Sequence, residues 1–191
     1  MNDDESRRRF ERVALQHLDA AYNLARWLTR NEQDAQDVVQ EAYLRAMRYF
    51  GGFRGEHARP WLLTIVRHTC YAWLKENRSS ELRLSDDDDA AAPEGIAPAS
   101  DEPHEAALRN ADRAQLNQAI AALPIDYREV LVLRELEDLS YKEIARIAEI
   151  PIGTVMSRLS RARSLLRLAL QPGARPALRA VPNPARPGVK R

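Results

Sequence analysis

Apolar residues recur at three- and four-residue spacing from Phe10 to about Arg78 and again from about Glu105 to Leu170, and nowhere alternate for long as strands do. Both blocks therefore read as helical, and the expected fold is all-α, with two small helical domains. Between them, Ser85 to Pro103 contains the run Asp86–Asp89 and three prolines, with almost nothing large and apolar to offset the entropy of ordering it. The expected organisation is a first domain over 1–80, a flexible acidic linker over 81–108, a second domain over 109–171 and a disordered basic tail over 172–191.

Single helices can be given faces by stepping 100° per residue. On the helix from Asp34 to Phe50, the stripe Ala35, Val38, Val39, Ala42, Ala46 and Phe50 faces a core. Asp37, Gln40, Glu41, Leu44, Met47 and Arg48 are left opposite, so acids and an amide surround two exposed apolar side chains, a pattern suited to protein docking. On the helix from Pro60, Leu62, Ile65, Val66, Thr69 and Trp73 turn inward, and Thr64, Arg67, His68, Tyr71, Lys75 and Arg78 turn outward. Tyr71 among cations can stack an unpaired base while its neighbours hold the backbone. Gly51 to Gly55 is expected to form the loop before this helix.

In the second block, Asp126 with Glu129 and Ser140 with Glu143 each fit a capping box at a helix start. Leu139 to Val155 then reads as a short helix, a turn containing Pro151 and Gly153, and a second helix reaching about Leu170, which is the helix-turn-helix outline. Val155, Leu159, Ala162 and Leu166 form its inner stripe. Its outer face and flanks carry Thr154, Met156, Ser157, Arg158, Ser160, Arg161, Arg163, Ser164 and Arg167. Serines let a helix approach base edges, Arg161 can pair bidentately with guanine, and flanking arginines can reach phosphates.

Composition narrows the function classes. The net charge of +1 hides segregation: residues 1–80 carry 13 basic and 11 acidic groups, 81–112 carry 2 and 10, 113–171 carry 9 and 7, and the last 20 carry 5 and none. No acid follows Glu149, so the end of the chain is attracted to polyanions. No apolar run approaches the roughly 20 residues of a membrane span, and the N-terminus lacks the apolar core of a signal peptide, so the expected location is the cytoplasm. Cys70 stands alone, the four histidines have no metal-ligand spacing, and no phosphate loop or catalytic triad occurs. Neither a metal, a cofactor nor an enzymatic reaction is expected.

Ala122-Leu-Pro through Arg128-Glu-Val-Leu-Val-Leu-Arg134, Leu139-Ser-Tyr-Lys-Glu-Ile-Ala and Gly153-Thr-Val-Met-Ser-Arg-Leu-Ser-Arg-Ala-Arg163 together resemble region 4 of extracytoplasmic-function (ECF) sigma factors. Asp34-Ala-Gln-Asp-Val-Val-Gln-Glu-Ala-Tyr-Leu-Arg-Ala46 resembles sigma region 2.2, and Pro60-Trp-Leu-Leu-Thr-Ile-Val-Arg67 resembles regions 2.3 and 2.4. The resemblance implies a first domain that docks on the clamp of core RNA polymerase through Asp37, Gln40, Glu41 and Met47, and opens a minus-ten element with Arg67, His68, Tyr71, Lys75 and Arg78. It implies a second domain that binds the polymerase flap and a minus-thirty-five element, and an anti-sigma protein as inhibitor in a stress response. Many members carry Lys or Arg where Met156 stands, and often Asn and Asp where His68 and Ala72 stand, so promoter preference does not transfer. An operator-binding regulator without sigma activity and a sigma-mimicking adaptor are the competing readings.

Overall fold

The structure is a computed structural model that describes residues 3–54, 57–81 and 103–171, with the side chains of 3, 78–81 and 103–109 outside that description. Helices α1 (Asp3–Ala14), α2 (Leu18–Thr29), α3 (Glu32–Tyr49) and α4 (Ala58–Glu81) make the first domain. Helices α5 (Pro103–Ala121), α6 (Ile125–Leu131), α7 (Tyr141–Ala148) and α8 (Ile152–Ala169) make the second, with a π-helical segment at Val132–Leu136 continuing α6. No strand occurs among the described residues. Helix α5 starts at Pro103, a residue suited to the first turn of a helix, within the stretch whose composition reads as linker. The acidic run Asp86–Asp89 and the tail 172–191 lie outside the described residues.

The first domain packs α2, α3 and α4 around Leu24, Leu28, Val38, Ala42 and Val66. All six residues of the expected α3 stripe are buried. The break before α3 has a local cause: Arg30 takes a left-handed φ of 63° and its N–H donates to the Arg26 carbonyl, ending α2. Asn31 then caps α3, its Oδ1 accepting from the Asp34 amide at 3.1 Å. A smaller cluster ties α1 to this bundle. Phe10 meets Phe50 edge-on at 5.3 Å, and the Tyr43 hydroxyl donates to the Ala14 carbonyl at 3.0 Å. Burial, with Asp19 nearby, pushes the Tyr43 phenol up to about 12, so it stays a neutral donor.

Helix α4 is buried on more than one side. Leu62, Val66 and Thr69 face inward as expected, while Ile65 and Trp73 are only partly covered. Leu63 and Cys70 are fully buried although they sit about 90° round the helix from that stripe. The reason is the second domain: α7 packs along α4, α6 packs on α2, and one apolar cluster runs through both domains.

Within the second domain, Leu133, Ile144, Ile147, Val155, Leu159 and Ala162 form the core. The capping box at Ser140 and Glu143 forms: Ser140 Oγ accepts from the Glu143 amide, and the Glu143 carboxylate accepts from the Ser140 amide at 2.9 Å. Those hydrogen bonds hold the Glu143 carboxyl below its ordinary range. Ser140→Ala should cost about 1 kcal/mol in denaturant unfolding at neutral pH. A depressed carboxyl contributes stability above its unfolded pKa and loses it as pH falls through the folded one. The gap between wild type and variant should therefore narrow below about pH 4; an unchanged gap would exclude the carboxylate from the cap.

Two local expectations are corrected. No capping box forms at Asp126 and Glu129: α6 starts at Ile125 behind Pro124, with no side-chain cap, and Glu129 is instead fully buried against the first domain. The helix-turn-helix turn does not include Gly153, which already belongs to α8. Its left-handed residue is Glu149, at φ 55°, whose N–H closes α7 on the Ala145 carbonyl.

Candidate nucleic-acid and polymerase interfaces

Three helix faces carry the residues singled out above. On α8, the stripe Val155, Leu159 and Ala162 seats the helix on the second-domain core and sends the opposite face to solvent. Met156 is 52% exposed, and Ser157, Ser160 and Arg161 are exposed beside it. The two serine hydroxyls nearest the centre turn back onto their own helix, Ser157 to the Thr154 carbonyl and Ser164 to the Ser160 carbonyl. Thr154 is partly buried.

The arginines divide into two kinds. Arg158 is largely buried and pairs with Asp126 at 3.4 Å, so it braces α8 on α6. Arg163 is exposed and grips Glu135 through Nε and Nη2 at 3.1 and 2.6 Å, which raises its pKa further. Arg161 makes only a long 3.4 Å contact with the Tyr127 hydroxyl. Among these three, Arg161 is the guanidinium least committed to the protein.

On α3, Asp37 and Gln40 are exposed and Glu41 is half-buried, its Oε1 accepting from Arg45 Nε at 2.7 Å. Leu44 and Met47 are 48% and 44% exposed, as the helical count requires, and Met47 borders a groove shared with Asp4, Arg7 and Phe10 of α1. At its Glu41 edge the face adjoins α4, where Glu41, Arg45 and Arg48 share a groove with Ile65 and His68.

The outward face of α4 is different. Arg67 and Tyr71 do point away from the first-domain core, but into the second domain rather than into solvent. Arg67 Nε donates to Glu129 Oε1 at 2.5 Å, the Tyr71 hydroxyl donates to Glu129 Oε2 at 3.3 Å, and the Arg67 guanidinium lies 4.7 Å over the Tyr71 ring. Burial pushes the Glu129 carboxyl up and Arg67 pulls it back, leaving it above its ordinary value. Tyr71 is also pushed up, by burial and then by Glu129. His68 Nε2 lies 3.1 Å from Glu149 Oε1, Lys75 is exposed, and the side chain of Arg78 lies outside the described residues.

Residues that periodicity did not single out complete this contact. Glu137, 5% exposed, accepts from Arg59 Nη2 at 2.5 Å and from Asn23 Nδ2 at 3.1 Å across the same boundary. Arg128 is buried, donates to the Ala121 carbonyl, and is held down to about 10 by burial and by Arg30 nearby, so it keeps its charge at neutral pH. The Nε atoms of Arg30 and Arg128 are both buried without a hydrogen-bond partner. Neither glutamate has a local pattern that reports its role, since each partner sits 58 or more positions away.

These faces belong to a known architecture. The family "Sigma-70 region 2" matches residues 13–80, and "Sigma-70, region 4" matches 113–166. RNA polymerase sigma-H factor of Pseudomonas aeruginosa is 37% identical over 174 residues, covering 87% of this chain and 88% of its own. The ECF RNA polymerase sigma-E factor of Escherichia coli K12 is 38% identical over 145 residues, covering 73% and 75%. Among solved structures, the sigma factor RpoE of Bartonella quintana, in complex with the anti-sigma factor NepR, superposes with a TM-score of 0.71 at 25% identity, covering 84% of this chain and 96% of that one. CnrH, in complex with the cytosolic domain of CnrY, shares the fold, with a TM-score of 0.57 at 22% identity. The helix-turn-helix, the acid-and-apolar face of α3 and these matches across both domains place the chain in the sigma-70 family, as an RNA polymerase sigma factor of the ECF type.

Proposed function

We propose that this sigma factor docks on the polymerase clamp through Asp37, Gln40, Glu41 and Met47, with Leu44 in the same patch, and reads a minus-thirty-five element through α8. The second domain engages the flap. Arg67, His68, Tyr71, Lys75 and Arg78 handle the opened minus-ten strand once α4 is uncovered. The observation that carries the reading is the solvent face of α8, where Met156, Ser157, Ser160 and Arg161 stand with no acid among them, on the same chain as the exposed apolar pair of α3, Leu44 and Met47.

Base readout falls chiefly to Arg161. Arg163, held by Glu135, acts as a phosphate contact of fixed position, while Arg158, drawn onto Asp126, positions α8. Thr154 sits in the first turn of α8, next to Gly153, where an added Cβ would meet open space; DNA backbone can come close to that end of the helix. The factor catalyses no reaction of its own and works in the cytoplasm. No described helix is long and apolar enough to cross a membrane. The RpoE on which the chain superposes is in complex with the anti-sigma factor NepR, and an anti-sigma partner acting in a stress response is the matching control here.

Run-off transcription with core polymerase and pooled genomic promoter fragments tests the reading. Discrete starts sharing two upstream elements at fixed spacing are expected. Arg161→Ala should cost about 1–3 kcal/mol of discrimination at one minus-thirty-five position, hence roughly 5- to 150-fold. Gln40→Ala with Glu41→Ala should abolish polymerase-dependent starts and leave duplex binding by the free protein intact. DNA binding without discrete starts would instead mark an operator-binding regulator, and neither activity would mark an adaptor.

A further inference from the structure

The second helix of a helix-turn-helix reaches base edges with its N-terminal residues. In α8 that end is apolar. Ile152 and Met156 are 40% and 52% exposed and stand one turn apart on one edge of the helix, and Gly153 has no side chain to screen them. The polar side chains nearby are committed elsewhere: Thr154 is partly buried, the Ser157 hydroxyl donates to the Thr154 carbonyl, and Arg158 is turned onto Asp126. Arg161 lies about 140° round the helix from Met156, on the opposite edge of the outer face.

The major groove offers one apolar group to such a surface, the 5-methyl of thymine. We propose that Ile152 and Met156 are specificity-determining residues that read thymine methyl groups in the minus-thirty-five element, while Arg161 reads a guanine from the other edge of α8. The proposal rests on the assignment of α8 to that element. It adds Ile152 to the reading face and gives Met156 a base choice that the Lys or Arg of many family members would not make.

The two side chains suit the task in different ways. Ile152 is stiff at χ1 and presents a fixed surface, whereas the unbranched, polarizable Met156 can follow a methyl group into the groove. Discrimination has two sources of the same sign. A thymine methyl gains apolar burial against the pair, while guanine O6 and N7 would be covered by groups that donate no hydrogen bond. Duplex DNA is the occupant because the pair is continuous with Ser157, Ser160 and Arg161, and no acid follows Glu149 to repel phosphates. Removing one methyl from the contact forfeits the burial of roughly one carbon, about 4-fold in affinity.

Polymerase holoenzyme formed with the full chain tests this on the promoters recovered by run-off transcription. Each thymine of the upstream element, on either strand, is replaced in turn by deoxyuridine, which keeps the hydrogen-bonding groups and lacks the methyl. One or two positions should lose about 4-fold each in promoter affinity, and the others should not change. Met156→Ala and Ile152→Ala should each weaken binding of the unmodified promoter and abolish the deoxyuridine effect at one of these positions, whereas Arg161→Ala should leave that effect in place. At the same positions 5-methylcytosine should bind about 4-fold more tightly than cytosine, because its methyl occupies the same place in the groove. Both side chains are exposed, so truncation leaves the core intact, and circular dichroism checks that the helices persist. An element that depends on Arg161 but is indifferent to every deoxyuridine would overturn methyl readout while leaving the sigma function standing, the apolar pair then belonging to a protein contact. A deoxyuridine effect that persists in both alanine variants would overturn its assignment to Ile152 and Met156. Starts that need no upstream element would overturn the placing of α8 on DNA, and this inference with it.

Discussion

Arg67→Ala is expected to destabilise the chain by about 3–5 kcal/mol at pH 7.5, the effect of stripping the partner from a fully buried carboxylate. Glu129 would keep only the long contact from Tyr71. Two escapes are open to it, separation of the domains or uptake of a proton. The second fixes the sign of a pH effect. A carboxyl whose folded pKa lies above its unfolded one stabilises the folded state while protonated, and that contribution is lost as pH rises through the folded value. Burial already pushes Glu129 in this direction, and Arg67 is the main force opposing it. The variant should therefore lose less, relative to wild type, at pH 5 than at pH 7.5. Combining it with Glu129→Leu should recover most of the loss, because an apolar side chain needs no partner there. Denaturant melts of the four proteins at both pH values make the check; a loss under 1 kcal/mol for Arg67→Ala at pH 7.5 would mean that the carboxylate finds other solvation and that the pair is not holding the domains.

Leu159→Ala is expected to cost about 2–5 kcal/mol, because Leu159 is buried in α8 against the second-domain core and truncation leaves a cavity. A helical unit of this size has only about 3–10 kcal/mol in total. The second domain should thus sit near its midpoint, while α2 and α3, whose core rests on Leu24, Leu28 and Val38, remain folded. Hydrogen exchange should show protection lost over α7 and α8 and retained over α2 and α3. Uniform loss across the chain would show instead that the apolar cluster joining the domains makes them one cooperative unit. In transcription, the same variant should lose dependence on the upstream element before it loses polymerase binding, since the α3 face is untouched.

The two variants probe different kinds of information. Leu159 was legible as core from spacing alone, as were Val155 and Ala162 on the same helix and the whole α3 stripe from Ala35 to Phe50. Leu44 and Met47 followed by subtraction, because a helix that buries one face must expose the other. The Ser140 and Glu143 cap was equally local, involving two residues three apart. Glu129 was not legible. Its spacing from Asp126 imitates a capping box, and nothing within one helical turn says that its carboxylate meets Arg67 from 62 positions away. Arg158 is a similar case: its place on α8 suggested a phosphate contact, and Asp126 of α6 draws it inward.

By itself, then, the sequence determined the helices, their buried stripes, the helix-turn-helix and the division into two blocks. Each of these follows from side-chain period and local hydrogen bonding, interactions that act over a few residues. The tertiary structure alone decided what lies over the far face of α4, why Leu63 and Cys70 are buried there, and which arginines remain uncommitted. The physical reason is that periodicity gives a direction relative to one helix axis, whereas the partner met in that direction depends on how the two helical blocks pack together, and that packing is set by contacts between residues far apart in the chain.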